Sequence, residues 1–189
     1  MAWQKAEYKL TGCAPLLMHN GQLADPSNPI VKKIKEITGK RKKTDADIEE
    51  IAHLEFLGGL YLDANGPTLA ADAIEATIIG GAKKFKEGMV AKSGMFVEDH
   101  ASLEYDGPRE PEELWATEEH RFSKAVRVGQ SKVMRMRPVF PKWESTITVS
   151  YEDSITNKSR VDDWITTAGQ QVGLLEWRPR FGRFDVEVV

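Results

Sequence analysis

The amino-acid sequence predicts an α+β fold, in which helices lie on one face of an antiparallel sheet and two large insertions interrupt the chain. Three observations lead to this prediction. Apolar and polar residues alternate in stretches near both ends of the chain, which is the period of a half-buried strand. Two further segments carry apolar residues at helical spacing. Between them, residues of about 19–68 and 106–142 are rich in charge and in turn-forming residues, so they are predicted as insertions.

The C-terminal end is predicted as strand, helix and strand. Apolar positions alternate from Trp143 to Tyr151 and again from Phe184 to Val188. Between them, Ser159 is predicted as a helix N-cap, with Asp162 as its capping-box partner. The helical face that follows consists of Val161, Trp164, Ile165, Ala168, Val172 and Leu175. If the two strands pair in parallel, the segment forms a right-handed βαβ unit.

The N-terminal half supplies the other elements of the core. Residues 3–12 alternate as a strand, and a strand is predicted within residues 94–105. A helix that begins near Asp72 is predicted to bury Ile74, Ile78, Ala82 and Phe85. Gly80 and Gly81 lie inside this helix at a cost of about 1 kcal/mol each relative to alanine. Two interpretations remain open: close approach of another backbone, expected to be the sheet, or a kink.

Without the two insertions, the order is strand, helix, strand, strand, helix, strand. This is the order of the ferredoxin-like fold, which RNA-recognition modules share. The sequence therefore predicts a single domain over residues 1–189. The sheet face away from the helices is left for a partner or for the insertions.

Composition limits the classes of function. The chain has 189 residues, a net charge of −3 and 41% hydrophobic residues, so any anion-binding role requires a local basic patch. A single cysteine, Cys13, rules out an internal disulfide and fits a reducing compartment. No apolar run reaches the length of a membrane span, and the N-terminus lacks the apolar segment of a signal peptide. The sequence thus predicts a cytoplasmic protein without a membrane partner.

The first insertion carries a basic arm, Lys40, Arg41, Lys42 and Lys43, after a predicted short helix at residues 30–37. The arm is either a solvated loop or a mobile segment for phosphate contact. Thr44 and Asp47 then predict a capping box, followed by a helical stripe of Ile48, Ile51, Leu54 and Leu57. Gly58 and Gly59 are predicted to end this helix.

The second insertion changes sign along its length. Residues 98–119 contain nine acids and one arginine, whereas residues 121–142 contain seven lysines or arginines and no acid. If residues 133–137 form a strand, Arg135 and Arg137 share one face. Gly129 to Ser131 are predicted to turn the chain.

The basic turn, W-R-P-R-F-G-R-F at residues 177–184, precedes the last strand. Arg178, Arg180 and Arg183 alternate there with aromatic side chains, including Trp177. Guanidinium groups bind phosphate bidentately and aromatic faces stack bases. The same residues serve equally for cation–π packing inside a protein. Both interpretations stay open, and Arg135, Arg137 and the basic arm favour nucleic acid.

The sequence shows no constellation for catalysis. The four histidines are scattered without metal-ligand spacing, and neither a phosphate-binding G-x-x-x-x-G-K-[ST] nor a G-x-G-x-x-G motif occurs. We therefore predict no enzyme, no metal and no cofactor. His19, which follows an apolar turn at a strand end, is the one candidate general base.

Two stretches resemble the RAMP superfamily, the RNA-binding backbone and processing subunits of CRISPR effector complexes. They are P-L-L-M-H at residues 15–19, after an early strand, and G-P-T-L-A-A-D-A-I-E-A-T-I-I-G-G-A at residues 66–82. The family's glycine-rich loop is degenerate here, with only Gly173 and Gly182 around the turn. R-P-R-F-G-R-F is also similar to uncharacterised phage and prophage proteins. The resemblance implies a RAMP-like core, a host-cell cytoplasmic location and a histidine such as His19 in members that cut RNA.

Three hypotheses follow. The first is a non-enzymatic, phage-type protein that binds single-stranded RNA or DNA through its basic residues, as a possible homo-oligomer. The second is a phage protein that binds a host or phage protein, for example to inhibit a defence system; adjacent acidic and basic segments suit such a partner. The third is a RAMP-type RNA nuclease that relies on His19.

Overall fold

The computed structural model of the protein describes residues 2–189. The strands are β1 Trp3–Gly12, β2 Leu16–Leu17, β3 Leu62–Asp63, β4 Gly66–Leu69, β5 Met95–Val97, β6 Ala101–Ser102, β7 Arg121–Val128, β8 Ser131–Phe140, β9 Glu144–Glu152 and β10 Phe184–Val188. The α-helices are α1 Pro29–Thr38, α2 Asp45–Gly59, α3 Ala71–Ala82, α4 Gly88–Gly94, α5 Pro111–Ala116 and α6 Lys158–Thr167. In this part of the chain, no helix is both long and apolar enough to cross a membrane.

The chain separates into two compact units, each assembled from separate segments. The first unit comprises residues 1–16, 62–106 and 141–189, and the second comprises residues 17–61 and 107–140. The second unit therefore consists of segments that overlap the two predicted insertions. That the whole chain is one domain stays a prediction.

The first unit contains a four-stranded sheet in the order β10-β1-β9-β5, and every neighbouring pair is antiparallel. Counted along the core, this is the order 4-1-3-2 of the ferredoxin-like fold. The predicted α+β fold with an antiparallel sheet is thus confirmed. Because β1 lies between β9 and β10, these two strands do not pair with each other, and the βαβ unit is a split one.

One face of this sheet is buried beneath α3 and α6. Tyr8 and Leu10 of β1 and Val149 of β9 are fully buried, and register places Ala6 opposite Val149 and Tyr8 opposite Ile147. The Tyr8 hydroxyl donates a hydrogen bond of 2.7 Å to Asp162 on α6, and burial raises the pKa of that hydroxyl. The alternation in the sequence therefore marked the correct face.

The contact between α3 and α6 explains the glycine pair. A Cβ on Gly81 would lie 2.2 Å from the carbonyl oxygen of Trp164 and 2.8 Å from the amide nitrogen of Ala168. Close backbone approach is therefore the reason for Gly81, but the approaching backbone belongs to a helix and not to the sheet. At Gly80, a Cβ would meet only the Val172 side chain, at 3.0 Å.

Three local predictions in the first unit are wrong. Leu175 does not belong to the helical face, because the helical segment ends at Val172 and Leu175 lies beyond it with a φ of +59°. The N-cap of α6 is Asn157 rather than Ser159: its side chain accepts a hydrogen bond of 3.1 Å from the Arg160 amide. Asparagine caps as well as serine, so the sequence N-K-S offered two equivalent starts. Phe85 is 39% exposed, because α3 ends at Ala82 and the chain continues as a 3₁₀ turn.

The second unit is built on the antiparallel hairpin of β7 and β8, which turns at Gly129 with a φ of +60°. On the other edge of β8, the Pro138 carbonyl accepts a hydrogen bond from the Met18 amide at 2.9 Å. Helix α2 begins with the predicted capping box of Thr44 and Asp47. The Lys40 ammonium and the Thr44 groups bound to Asp47 lower the pKa of that carboxyl to about 2.

Candidate nucleic-acid interface

The basic turn of residues 177–184 is held by backbone hydrogen bonds to the loop after β1. The Cys13 amide donates to the Arg183 carbonyl at 2.9 Å, and the Gly182 amide donates to the Pro15 carbonyl at 2.8 Å. Gly182 has a φ of +71°, and a Cβ there would lie 2.1 Å from the carbonyl oxygen of Leu174. Only glycine fits this position, and the hydrogen bonds of Gly182 and Arg183 anchor the C-terminal end of the turn.

The turn presents its three arginines to solvent. Arg178, Arg180 and Arg183 are all exposed. Trp177 and Phe181 are half-buried, with ring centroids 5.9 Å apart. The Arg178 guanidinium makes a long contact of 3.5 Å with the Thr77 hydroxyl. The turn therefore combines three solvent-exposed cationic side chains with a half-buried aromatic pair.

Arg135 has a structural role in the second unit. Its guanidinium forms a short hydrogen-bonded ion pair with Glu55, whose side chain is 6% exposed. The other carboxylate oxygen of Glu55 accepts the Met136 amide at 2.9 Å, so it occupies an edge of β8 that would otherwise be open. Removing Arg135 would leave a buried carboxylate without its cation, which is costly.

Arg137 lies two residues along β8, on the same face as Arg135. It is half-buried, and one of its guanidinium nitrogens donates to the Met136 carbonyl at 3.0 Å. In the basic arm, Lys40 pairs with Asp47 at 2.5 Å, and Asp47 raises the pKa of the Lys40 ammonium. Arg41, Lys42 and Lys43 are exposed.

The structure distributes the predicted site residues between the two units. Trp177 and the three arginines of the turn belong to the first unit, whereas Arg135, Arg137 and Lys40–Lys43 belong to the second. Arg135 and Arg137 also line one cavity, together with His19 and Lys35. In residues 2–189, no three His, Cys, Asp or Glu side chains gather closely enough to hold a metal ion.

The exposed face of the four-stranded sheet is acidic. Its two lysines are paired, Lys5 with Glu98 at 2.7 Å and Lys9 with Glu144 at 2.8 Å. Further exposed carboxylates on the same face are Glu7, Asp185 and Glu187. RNA-recognition modules bind bases on this face with aromatic residues. Here the excess of carboxylates opposes a phosphate backbone, so this face is unsuited to nucleic acid.

Glu55, the ion-pair partner of Arg135, is a residue of the candidate site that sequence reasoning missed. It lies on α2 among apolar residues and next to Phe56, which is fully buried. A single acid inside an apolar helical stripe is the signal that could have identified it, because such a group requires a cationic partner. The pairing with a strand 80 residues away has no local signature.

Comparison with known proteins gives a distant structural likeness and no match in sequence. No family model matches the sequence, and no curated protein matches it. Among solved structures, the fold is similar to the crystal structure of Cmr6 from Pyrococcus furiosus. The TM-score is 0.44 at 9% sequence identity, and the alignment covers 98% of this chain and 99% of that chain. A structural likeness this distant leaves the function to be argued from the residues of this chain.

Proposed function

We propose that the protein binds single-stranded nucleic acid, RNA or DNA, without cutting it. The observation that carries the proposal is the basic turn: three exposed arginines and a half-buried aromatic pair within a few residues, on a backbone anchored at Gly182 and Arg183. Guanidinium groups neutralise phosphates, and the face of a tryptophan ring offers a stacking surface for bases. A pre-formed turn loses little conformational entropy on binding.

The surface charge favours the basic turn, rather than the exposed face of the four-stranded sheet, as the binding site for nucleic acid. The chain as a whole is acidic, with a net charge of −3, and the exposed sheet face concentrates carboxylates. A polyanion is therefore repelled from that face and attracted to the local basic segments. The basic hairpin of residues 121–140 and the basic arm of residues 40–43 are proposed as further contacts. Within them, Lys40 is paired with Asp47 and Arg135 with Glu55.

The test is a salt titration of binding to a fluorescent homopolymeric single strand, for Arg180→Ala and wild type. Each phosphate contact contributes a slope of about −0.7 in log K against log salt. Arg180→Ala is expected to lower the magnitude of the slope by less than one unit and to weaken U, A and T strands alike, because phosphate contacts carry no sequence information.

Lys84→Ala is the matched control, since Lys84 is an exposed lysine of the first unit outside the turn. It is expected to leave both affinity and slope close to wild type. If Arg180→Ala and Lys84→Ala lose the same affinity, binding depends on the general positive charge of the surface and not on the basic turn. Absence of measurable binding by the wild type at low salt would refute the proposal.

A protein partner is the second candidate, favoured by the exposed sheet face. Trp3 and Phe96 are 52% and 40% exposed there, with ring centroids 5.0 Å apart, beside the carboxylates described above. Aromatic side chains are enriched in protein interfaces. A phage or prophage origin, inhibition of a defence system, self-association and a RAMP-type nuclease activity stay predictions. The mass and the absorbance ratio of the freshly purified protein test self-association and co-purified nucleic acid together.

A further inference from the structure

The segment that joins α3 to α4 carries lysines without ion-pair partners. Residues 76–97 contain four lysines and one acid, Glu87. All four lysines are exposed, and within residues 2–189 none of them forms an ion pair; they are Lys83, Lys84, Lys86 and Lys92. The segment therefore presents a local positive charge on a chain that is acidic as a whole.

Glu87 is bound to α6 and does not neutralise the lysines. One of its carboxylate oxygens accepts a hydrogen bond of 2.7 Å from the Trp164 indole, and the other pairs with the Arg160 guanidinium. The hydrogen bonds from Arg160 and Trp164 hold the pKa of the Glu87 carboxyl below its usual range. Glu87 is thus ionised at neutral pH, and its counter-charge is an arginine on α6.

Three of the four lysines line a cavity of about 370 Å³, which falls in the range of about 300–1,000 Å³ typical of ligand sites. The lining residues are Ile79, Lys83, Lys86, Gly88, Met89 and Lys92. Because the lining contains no carboxylate, the cavity attracts an anionic group. Lys84 is also exposed, but it lies outside the lining.

The backbone at the cavity is fixed by hydrogen bonds of the turn. The Lys86 amide donates to the Lys83 carbonyl at 3.0 Å, and the Glu87 amide donates to the Ala82 carbonyl at 3.0 Å. The Lys83 stem packs onto Gly88, where a Cβ would lie 2.6 Å from the Lys83 Cγ. The backbone is therefore ordered before a partner binds, and this lowers the entropic cost of binding.

Exposed apolar side chains accompany the lysines. Met89 is 77% exposed, and Phe85 and Val90 are 39% and 37% exposed. Exposed apolar groups rimmed by polar residues mark interaction sites, and the flexible thioether of methionine adapts to the shape of a partner. A partner that covers Met89 gains apolar burial in addition to neutralising the lysines.

We propose that this surface binds an acidic protein segment that places an apolar side chain against Met89. The lysine patch is defined as Lys83, Lys86 and Lys92 together with Met89. Its lysines pair with carboxylates of the partner, and the apolar side chain of the partner enters the cavity. This interaction goes beyond the proposed function, because it uses a surface other than the basic turn and a different class of ligand.

The chemistry of the lysine patch favours carboxylates over a nucleic-acid strand. Arginine is the residue whose planar fork matches phosphate, and the basic turn contains three arginines, whereas the patch contains none. The Arg160 guanidinium already lies over the Phe85 ring, 5.3 Å from its centroid. A phosphate backbone would leave Met89 and Val90 without an apolar partner, whereas an acidic protein segment supplies both carboxylates and apolar side chains.

The experiment measures binding of short labelled peptides by fluorescence anisotropy. The first peptide consists of acidic residues around one leucine, the second has serine in place of the leucine, and the third has lysine in place of every acid. The wild type is expected to bind the first peptide about tenfold more tightly than the second, because a buried leucine contributes that much. The third peptide is expected not to bind, and raising the salt concentration is expected to weaken the first.

Lys86→Glu tests the charge, with Lys84→Glu as its control two residues away. Only Lys86 lines the cavity, although both side chains are exposed. Lys86→Glu is expected to weaken binding of the first peptide by about tenfold, and Lys84→Glu by less than about threefold. Met89→Ser is expected to abolish the preference for leucine over serine, and Met89→Leu to keep it. Circular dichroism of each variant shows whether it is folded.

Each other occupant is an outcome that overturns the proposal. If Lys86→Glu weakens binding of a single strand as much as Arg180→Ala does, the lysine patch belongs to the nucleic-acid site. If the protein sediments with vesicles of phosphatidylserine and phosphatidylcholine but binds no acidic peptide, the partner is a membrane surface. The proposal is also wrong if the leucine and serine peptides bind equally, or if Lys84→Glu and Lys86→Glu have equal effects. Failure of the peptides to bind leaves the salt titration of Arg180→Ala unaffected, so the proposed function is judged separately.

Discussion

The backbone contact between α3 and α6 leads to a prediction that two neighbouring glycines can test. In Gly81→Ala the new Cβ would lie 2.2 Å from the Trp164 carbonyl oxygen and 2.9 Å from the Ala168 Cβ. Ordinary carbon contacts are about 3.5–4.0 Å, so the two helices must separate by about 1 Å or more. Both colliding groups are parts of the backbone or fixed to it, and no rotamer change relieves them.

The expected magnitude is a balance of two terms. Alanine stabilises a helix by about 1 kcal/mol relative to glycine. Overpacking of a close contact costs about 1–3 kcal/mol, and a collision with backbone lies at the upper end. We expect Gly81→Ala to lower the free energy of unfolding by about 2 kcal/mol. For a chain of this size, that loss corresponds to a fall of about 4–8 °C in Tm.

Gly80→Ala is the matched control on the same helix. Its Cβ would meet the half-buried Val172 side chain at 3.0 Å, and a side chain can move. The helix-propensity gain then offsets the contact, so stability is expected within about 1 kcal/mol of wild type. Urea and thermal denaturation followed by circular dichroism measure both variants. Equal stability of Gly81→Ala and Gly80→Ala would refute the close-approach explanation.

Three further predictions concern the sheet, acid stability and catalysis. Val149→Asp is expected to cost several kcal/mol, because Val149 is fully buried, whereas Thr148→Asp on the opposite face changes stability by less than about 1 kcal/mol; denaturation curves compare the two. Asp47 has a pKa of about 2 when folded, against about 3.9 in an unfolded chain, so it stabilises the fold above about pH 4 and loses this effect as pH falls toward 2. Asp47→Asn should therefore show a flatter decline of Tm over that interval, and a decline as steep as in wild type would contradict the ion-pair assignment. Incubation with labelled RNA is expected to give no products; cleavage that disappears in His19→Ala would show that the protein is a nuclease.

Elements with a clear period could be predicted from the sequence, and those that depend on distant partners could not. The alternation of apolar and polar residues identified β1 and β9, and it correctly placed Tyr8 and Val149 on the buried face of the sheet. A sheet with one face in solvent and one in the core imposes this period of two. The start of α6 was misplaced by two residues because asparagine and serine both cap helices. Phe85 was assigned to the buried face because no local signal showed that α3 ends three residues earlier.

In the candidate site, too, local features could be predicted from the sequence and contacts between distant residues could not. The basic turn was evident from its composition, and its exposure agrees with a surface role. The pairing of Glu55 with Arg135, and the cavity that brings Arg137 near His19 and Lys35, depend on contacts across about 80 residues or more. Composition and spacing carry no information about such contacts.

The central position of β1 has a consequence for how the chain folds during synthesis. Among the ten strands β1 is synthesised first, yet its neighbours in the sheet, β9 and β10, are the last two of the ten; Thr11 and its partner Glu144 are 133 residues apart. Until then its apolar face and both hydrogen-bonding edges lack their final partners, which is the condition that favours aggregation. The last residue of the second unit is residue 140, so all of that unit is synthesised before β9 and β10. Expression at lower temperature or with a holdase chaperone should therefore raise the soluble yield, and truncation before β9 should abolish it.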